Sequence, residues 1–410
     1  METDYDVVII GGGVCGCSVV FELTQRGYRC LLLEKNDTLV AEASSGNSGM
    51  LHTGFDALEK SLELDCIKRC QSRIFQLTEK LGVPVNKIGA TMVAWNQEQL
   101  ARFPSVVSKC AQAGFSDVHE QSVSQLYQRE PYLNRRALGA LWIPGEAVTD
   151  PWLLPILLAH DARQKGAQLI SSAKVESCDW DGTVWNIQST HGTFRAKCVV
   201  NCAGLYGDII DRLAGRSQFR IKPRKGQYTI YDHSAHTLIN SSIVPVPTDI
   251  GKGVIVFKSV YNNVIVGPTA ENVESRQQAV IDDNICERLY SVARDTVPEL
   301  NKYNIVGRYT GVRPATQYKD YVITADQDRN WVTVGGIRST GLSGSLGISE
   351  LVRELVETRI GLEPTRGQYL TVSAPNVTFT KYGTAVIDGH EYSVKHPLTF
   401  VGKMQNLSKI

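Results

Sequence analysis

Two residues of this chain have side chains suited to handling a small anionic molecule. Arg313, in YTGVRPAT (309–316), carries a planar guanidinium whose fork matches a carboxylate or phosphate through two parallel bonds. His52, in ASSGNSGMLHTGFDA (43–57), belongs to the residue type that titrates near neutral pH and can take up or release a proton there. Gly54, two residues on, permits close approach. A third constellation suits a nucleotide. Gly11, Gly13 and Gly16 fit G-x-G-x-x-G, and Glu34 follows 18 positions after Gly16. The first glycine allows a tight turn, the second lets backbone approach a pyrophosphate, and the third lets a helix pack close to a strand. The helix N-terminus then faces the anion, and the acid holds a ribose hydroxyl pair. An acid at that point repels the 2′-phosphate of NADP, which leaves FAD and NAD.

These residues need particular elements to hold them. DVVII (6–10) reads as a strand buried on both faces, as in a parallel sheet. The pattern predicts a helix over 14–26, stopped by Gly27, and a second strand over 30–33 that delivers Glu34. Residues 43–57 are small, polar and glycine-rich, where an NAD domain would place another regular βα unit. LISSAKVESCDWDGTVWNIQSTHGTFRAKCVVNCAG (169–204) reads as consecutive strands turning at Asp181-Gly182 and His191-Gly192. KGVIVFKSVYNNVIVGPTA (252–270) reads as a hairpin with a polar tip at Asn262-Asn263, flanked by helical patterns at 61–81 and 276–296. VTVGGIRSTGLSGSLGI (332–348) is a strand, a glycine-rich turn and a helix start. GLEPTRG (361–367) marks a boundary, followed by the strand-like runs TVSAPNVTF and TAVIDGHEYSV.

Composition narrows the class. With 43 basic and 42 acidic side chains the net charge is +1, so the basic excess of a nucleic-acid binder is missing. Hydrophobic residues at 42% and charged residues at 21% describe a globular protein and exclude a disordered one. No run reaches the roughly 18 apolar residues of a membrane span, so membrane contact is expected to be peripheral at most. The most apolar run, 152–159, is broken by Pro155. Glu2, Asp4 and Asp6 are unlike a signal peptide, so the ten cysteines are expected to be free thiols in a reducing compartment. Cys66 and Cys70 lie one helical turn apart, but two ligands cannot close a zinc site, and no metal is expected. Ser408-Lys409-Ile410 is one residue from the Ser-Lys-Leu peroxisomal address, so the expected location is cytoplasmic or peroxisomal (glycosomal in some cells).

The opening DVVIIGGGVCGCSVV, the Ser/Gly/His loop and the late GVRP together resemble the D-amino-acid-oxidase-like superfamily of FAD-dependent oxidoreductases, over about residues 5–360. Within it, SSGNSGMLHTGFDA is most similar to flavin-linked glycerol-3-phosphate dehydrogenases, with L-2-hydroxyglutarate dehydrogenases as near relatives. The resemblance implies an α/β + β architecture: a Rossmann-like FAD-binding domain (a parallel sheet with a β-hairpin layer) and an inserted antiparallel-sheet substrate domain flanked by helices. It divides the chain into a discontinuous FAD-binding domain (1–85, 147–220 and 321–360), a substrate domain (86–146 and 221–320) and a C-terminal extension (361–410). Residues 361–410 contain no cysteine, so the iron–sulfur extension of the bacterial anaerobic enzymes is not expected in them.

The resemblance also implies site residues. Non-covalent FAD would be held by Gly11, Gly13, Val14, Cys15 and Gly16, by Glu34 and Lys35, and by Ser44, Ser45, Asn47 and Ser48. Val175 would pass the adenine, and Ala203 and Gly204 would make a second approach to the dinucleotide. Gly336, Ile337, Gly341, Leu342 and Ser343 would cover the flavin ring. Arg313 would grip the anionic end of the substrate, His52 would handle its proton, and Lys258 would reach in from the hairpin. Gln227 stands where the family carries an acid, and Thr340 where it more often carries proline. His233 and His236 are expected to be solvated, and Arg308 and Lys319 to be peripheral charges. The implied activity is oxidation of a small anionic 2-hydroxy compound, glycerol 3-phosphate ahead of L-2-hydroxyglutarate. The electrons would pass on to a quinone, a carrier protein or oxygen. An amine oxidase of amino acids or N-methyl amino acids, or a flavin-binding module without turnover, are the alternatives.

Overall fold

A computed structural model describes residues 4–247, 253–277, 281–369 and 371–407. Ser408-Lys409-Ile410 lies outside the described residues. Tyr5–Ile10 forms the centre of a parallel sheet, with Cys30–Leu33 on one side and Gly192–Asn201 on the other. Gln168–Ile170 extends the sheet beyond Cys30–Leu33, and Trp331–Gly335 adds to Gly192–Asn201 in parallel. Both faces of this sheet are covered. Val7 and Ile9 enter one hydrophobic core, while Val8 and Ile10 enter another, as the two-residue period of a strand requires. The helix Val14–Arg26 ends at Gly27, whose φ of 104° only glycine adopts without strain. Val175–Trp180 and Trp185–Ser189 pair antiparallel as the expected hairpin layer.

The second sheet has Lys222–Tyr231 and Ile305–Ala315 as its long strands, paired antiparallel over ten positions. Ile255–Lys258 and Val264–Gly267 form the hairpin beside them, with Asn262 at φ 65° in the tip. This sheet is not wholly antiparallel. Ser242–Pro245 runs parallel to Ala90–Ala94. The two strands come from distant segments, so no tight hairpin turn forces them to run in opposite directions.

Leu62–Leu81 forms where the 61–81 pattern places it, capped by the Ser61 hydroxyl. The second flanking helix is shorter than expected, Asp283–Thr296. Asp282 caps it, and Gln227 holds the Asp282 N–H at 2.8 Å. Arg276 is drawn away to Asp208, which accepts from its Nη2 at 2.9 Å.

Beyond the 361–367 boundary, three short strands (Val377–Phe379, Thr384–Ile387 and His390–Ser393) are followed by the helix Pro397–Leu407. The strand-like patterns did not foresee that helix. Proline opens it, where a fixed φ and a missing N–H do no harm. Ala385, Ile387 and Tyr392 join the core beside the parallel sheet. The Thr399 hydroxyl donates to Asp150 at 2.6 Å, and the Tyr261 hydroxyl of the hairpin tip bonds the same carboxylate. Asp150 also accepts from the N–H groups of Trp152 and Leu153, both at 2.9 Å, at the start of the helix Leu153–Gln164.

His396 sits fully buried at this joint, its ring 6.0 Å from that of Tyr309. Burial pulls its imidazole down to about 3. The unfolded chain, titrating at about 6.5, therefore binds a proton that the folded chain refuses. Stability from this group is full above about pH 6.5 and falls as the pH drops toward about 3. His396→Phe should reduce the acid sensitivity. Between about pH 7.5 and pH 5 the wild type should lose about 2 kcal/mol more than the variant, read from urea unfolding midpoints. Equal losses would show that His396 titrates normally.

Candidate active site

The glycine turn closes against its neighbours without spare room. A Cβ on Gly16 would lie 1.8 Å from the Gly11 carbonyl oxygen, and one on Gly11 would lie 2.5 Å from that of Cys202. The helix Val14–Arg26 therefore starts directly at the end of the first strand. No acidic side chain lies in its first turn, and the Val14 N–H is met by the Ser44 hydroxyl at 2.9 Å. A second helix, Gly341–Leu355, begins beside it, with Gly341 near the side chains of Val14 and Ile337. Two helix N-termini thus face one cavity of about 570 Å³.

Glu34 is fixed at the wall of this cavity. One carboxylate oxygen accepts the Gly12 N–H at 2.7 Å, and the other accepts the N–H of Asn36 at 2.8 Å and its side-chain amide at 2.7 Å. Lys35 bonds Glu42 and lies over the Tyr206 ring. Of the residues expected around FAD, Gly11, Gly13, Val14, Cys15, Glu34, Lys35, Ser44, Asn47 and Ser48 line the cavity. Val175, Ala203, Gly204, Ile337, Gly341 and Leu342 line it as well. Burial pushes the Cys15 thiol up to about 12, so it faces the cavity uncharged. The glycine cradle, the fixed Glu34 carboxylate and the helix N-termini fit FAD.

Five expected residues stand elsewhere. Gly16 lies behind the wall, in the packing role of the third glycine. Ser45 turns its hydroxyl back to the carbonyls of Ala41 and Glu42. Gly336, at φ 66°, packs near Thr316 and Asp320. Ser343 accepts the His52 N–H at 2.8 Å and donates to the Met50 carbonyl at 3.2 Å, so it supports the loop and does not line the cavity. Lys258 also misses the cavity. Burial lowers its pKa, and the nearby charge of Glu130 works against that shift. Glu130 is itself buried, accepting the Asn240 N–H at 2.9 Å and the Ser241 hydroxyl at 2.7 Å.

His52 and Arg313 line the same cavity. The loop carrying His52 meets the strand carrying Arg313 backbone to backbone, since a Cβ on Gly46 would lie 2.3 Å from the Gly311 Cα. His52 Nδ1 is 2.8 Å from Glu146 Oε2. Arg313 lies directly across the strand pair from Arg224, and both guanidiniums reach the cavity. Neither has a carboxylate partner among the described residues; Arg313 donates to the Thr269 carbonyl at 3.3 Å. Burial, and then the charges of Arg313 and Arg338, push Arg224 below the usual guanidinium range. Gly226, two residues from Arg224, leaves room: a Cβ there would lie 2.6 Å from Arg313 Nη2. Gln227 takes no part in this arginine-lined pocket; it is buried and donates to Glu271 at 3.1 Å.

The sequence reading missed Glu146, Arg224 and Arg338. Arg338 stands in the 332–348 segment singled out above and Arg224 three residues before Gln227, but only strand register and the turn at 336–340 show where they point. Glu146 is 94 positions from His52, and no spacing rule connects them.

The sequence profile described as FAD dependent oxidoreductase (DAO) matches residues 6–355, and the chain belongs to that family. It is 32% identical over 380 residues to a glycerol 3-phosphate oxidase of Mycoplasma pneumoniae, covering 90% of this chain and 99% of that protein. The solved L-alpha-glycerophosphate oxidase from Mycoplasma pneumoniae with FAD bound superposes with a TM-score of 0.83 at 28% identity, covering 92% of this chain and 100% of the other. A glycerol 3-phosphate dehydrogenase of Caloramator mitchellensis is 28% identical over 354 residues, 86% of this chain and 74% of that protein. An L-2-hydroxyglutarate dehydrogenase of Caenorhabditis elegans is 27% identical over 330 residues, 77% of this chain and 76% of the other. Among the described residues no helix is long and apolar enough to cross a membrane.

Gly16→Ala should yield a colourless protein, because the added methyl drives the helix start off the Gly11 carbonyl. FAD affinity, measured by quenching of flavin fluorescence, should fall by about 100-fold or more, the scale of a lost pyrophosphate cradle. Unchanged affinity would separate this turn from the cofactor.

Proposed function

We propose that this chain oxidises a small anionic 2-hydroxy compound, with glycerol 3-phosphate as the favoured substrate. The observation that carries this reading is the Arg224–Arg313 pair. Like charges directly opposite each other on neighbouring strands are destabilising, and these two have no carboxylate to offset them among the described residues. An anion between them supplies the missing charge. A phosphate monoester concentrates nearly two negative charges and three acceptor oxygens at one point, which suits two converging guanidiniums. The two carboxylates of 2-hydroxyglutarate divide the same charge between separate places, so that compound ranks second.

FAD bound in the cavity supplies an acceptor for the hydride that leaves the substrate carbon. The chain's own residues do the rest. Arg224 and Arg313 anchor the phosphate and so fix where the carbinol carbon lies. His52 takes the hydroxyl proton as the C–O bond becomes a carbonyl. Leu51, Thr53, Gly54 and Phe55 around it are buried, while the His52 ring is partly exposed and lines the cavity.

Anaerobic mixing of the purified yellow protein with glycerol 3-phosphate, L-2-hydroxyglutarate and an amino-acid panel tests the reading. Flavin bleaching should be fastest with the phosphate. Arg313→Ala should raise the apparent substrate constant by about 100-fold, the scale of a lost bidentate charge pair, with FAD retained. His52→Ala should slow reduction at saturating substrate by about 100-fold or more. No bleaching with any of these compounds would leave a flavin-binding module without turnover. Bleaching by amino acids alone would replace the alcohol with an amine substrate.

A further inference from the structure

We infer that Glu146 is the residue that positions His52 and selects which of its ring nitrogens receives the substrate proton; this rests on the proton-accepting reading of His52 above. Strand register brings the two together. Met50–Leu51 pairs antiparallel with Ala147–Thr149, with Met50 opposite Val148 and Leu51 opposite Ala147. One step further along that ladder, His52 comes opposite Glu146. Gly145 lets the chains close at this point, since a Cβ there would lie 2.7 Å from the Thr53 methyl.

The Glu146 side chain is 1% exposed. A carboxylate so buried is costly unless its oxygens are bonded and its charge is met. Its bonds go to two consecutive residues of the loop. Oε1 accepts the Thr53 N–H at 2.7 Å and the Thr53 hydroxyl at 2.9 Å. Oε2 faces His52 Nδ1 at 2.8 Å. Among the described residues no Lys or Arg lies within ion-pair distance of it, and His52 is its one partner able to take up a positive charge. A carboxylate accepts and cannot donate, so the neutral imidazole carries its proton on Nδ1. Proton uptake then falls to Nε2. The imidazolium that results is stabilised by the adjacent negative charge, as an orienting acid does for a histidine base. The His52 backbone is held independently by Ser343, so the ring has both its anchor and its tautomer set before substrate arrives.

The test is a double-variant cycle on the FAD-loaded full chain, read by anaerobic reduction with glycerol 3-phosphate. Glu146→Gln keeps an acceptor for Thr53 and loses the charge. Its limiting reduction rate should fall about 10- to 100-fold, the scale of general-base catalysis partly lost, while the substrate dissociation constant changes less than about 3-fold. Glu146→Asp should recover part of the rate. In the His52→Ala background, adding Glu146→Gln should cost nothing further, because Glu146 acts through His52. An unchanged rate for Glu146→Gln, or a further loss on top of His52→Ala, overturns the inference. A normal rate for His52→Ala alone overturns the parent reading instead. If Glu146→Gln loses FAD, Thr53→Val serves as the control. Flavin loss there too assigns Glu146 to holding the loop and overturns its role toward His52, whereas retained flavin leaves the rates of Glu146→Asp with and without His52→Ala to decide by the same additivity.

Discussion

The contact between Gly46 and Gly311 joins the two halves of the active site. A Cβ on Gly311 would lie 2.2 Å from the Gly46 carbonyl oxygen, so neither position has room for a side chain. The loop that faces the cofactor and the long strand of the second sheet therefore meet at backbone distance. Everything else in the cavity is placed relative to that junction. Because strand side chains alternate, Arg313 emerges on the same face as Gly311, and Arg224 on the same face as Gly226 across the ladder. Small residues open the space, and the cations two positions along line it.

The site gathers features that folding alone would not favour: opposed guanidiniums, a buried carboxylate and two helix N-termini aimed at a void. The scaffold tolerates them because the parallel sheet is dry on both faces and the second sheet has a core of its own. Destabilising elements at a cavity wall, set in a well-packed frame, are where binding and chemistry are usually found. On the proposed reading the arginine pair would serve the substrate, the helix starts the cofactor, and Glu146 the imidazole of His52.

The sequence showed more of the cofactor side than of the substrate side, for physical reasons. The nucleotide cradle is local: strand, glycines, helix and acid lie within 34 residues, and local backbone geometry dictates their types and spacing. His52 and Arg313 were legible because each lies in a distinctive segment. Glu146 and Arg224 acquire their meaning only from register, and one residue of slip would turn either away. Lys258 misled because a hairpin shows which residues alternate but not which face meets the cavity. The closing helix Pro397–Leu407 escaped notice because its anchor, Asp150, is remote in sequence.

The parallel sheet takes adjacent strands from residues 5–10, 192–201 and 331–335, and residues 385–392 complete the core beside it. A ribosome delivers these pieces in order, so the first glycine turn waits through most of translation before its neighbours exist. The nascent chain must shelter a half-built nucleotide cradle until late segments emerge. Gly11 and Gly13 line one cavity with Ala203, Gly204, Ile337 and Leu342, so its walls are complete only after residue 342 has been made.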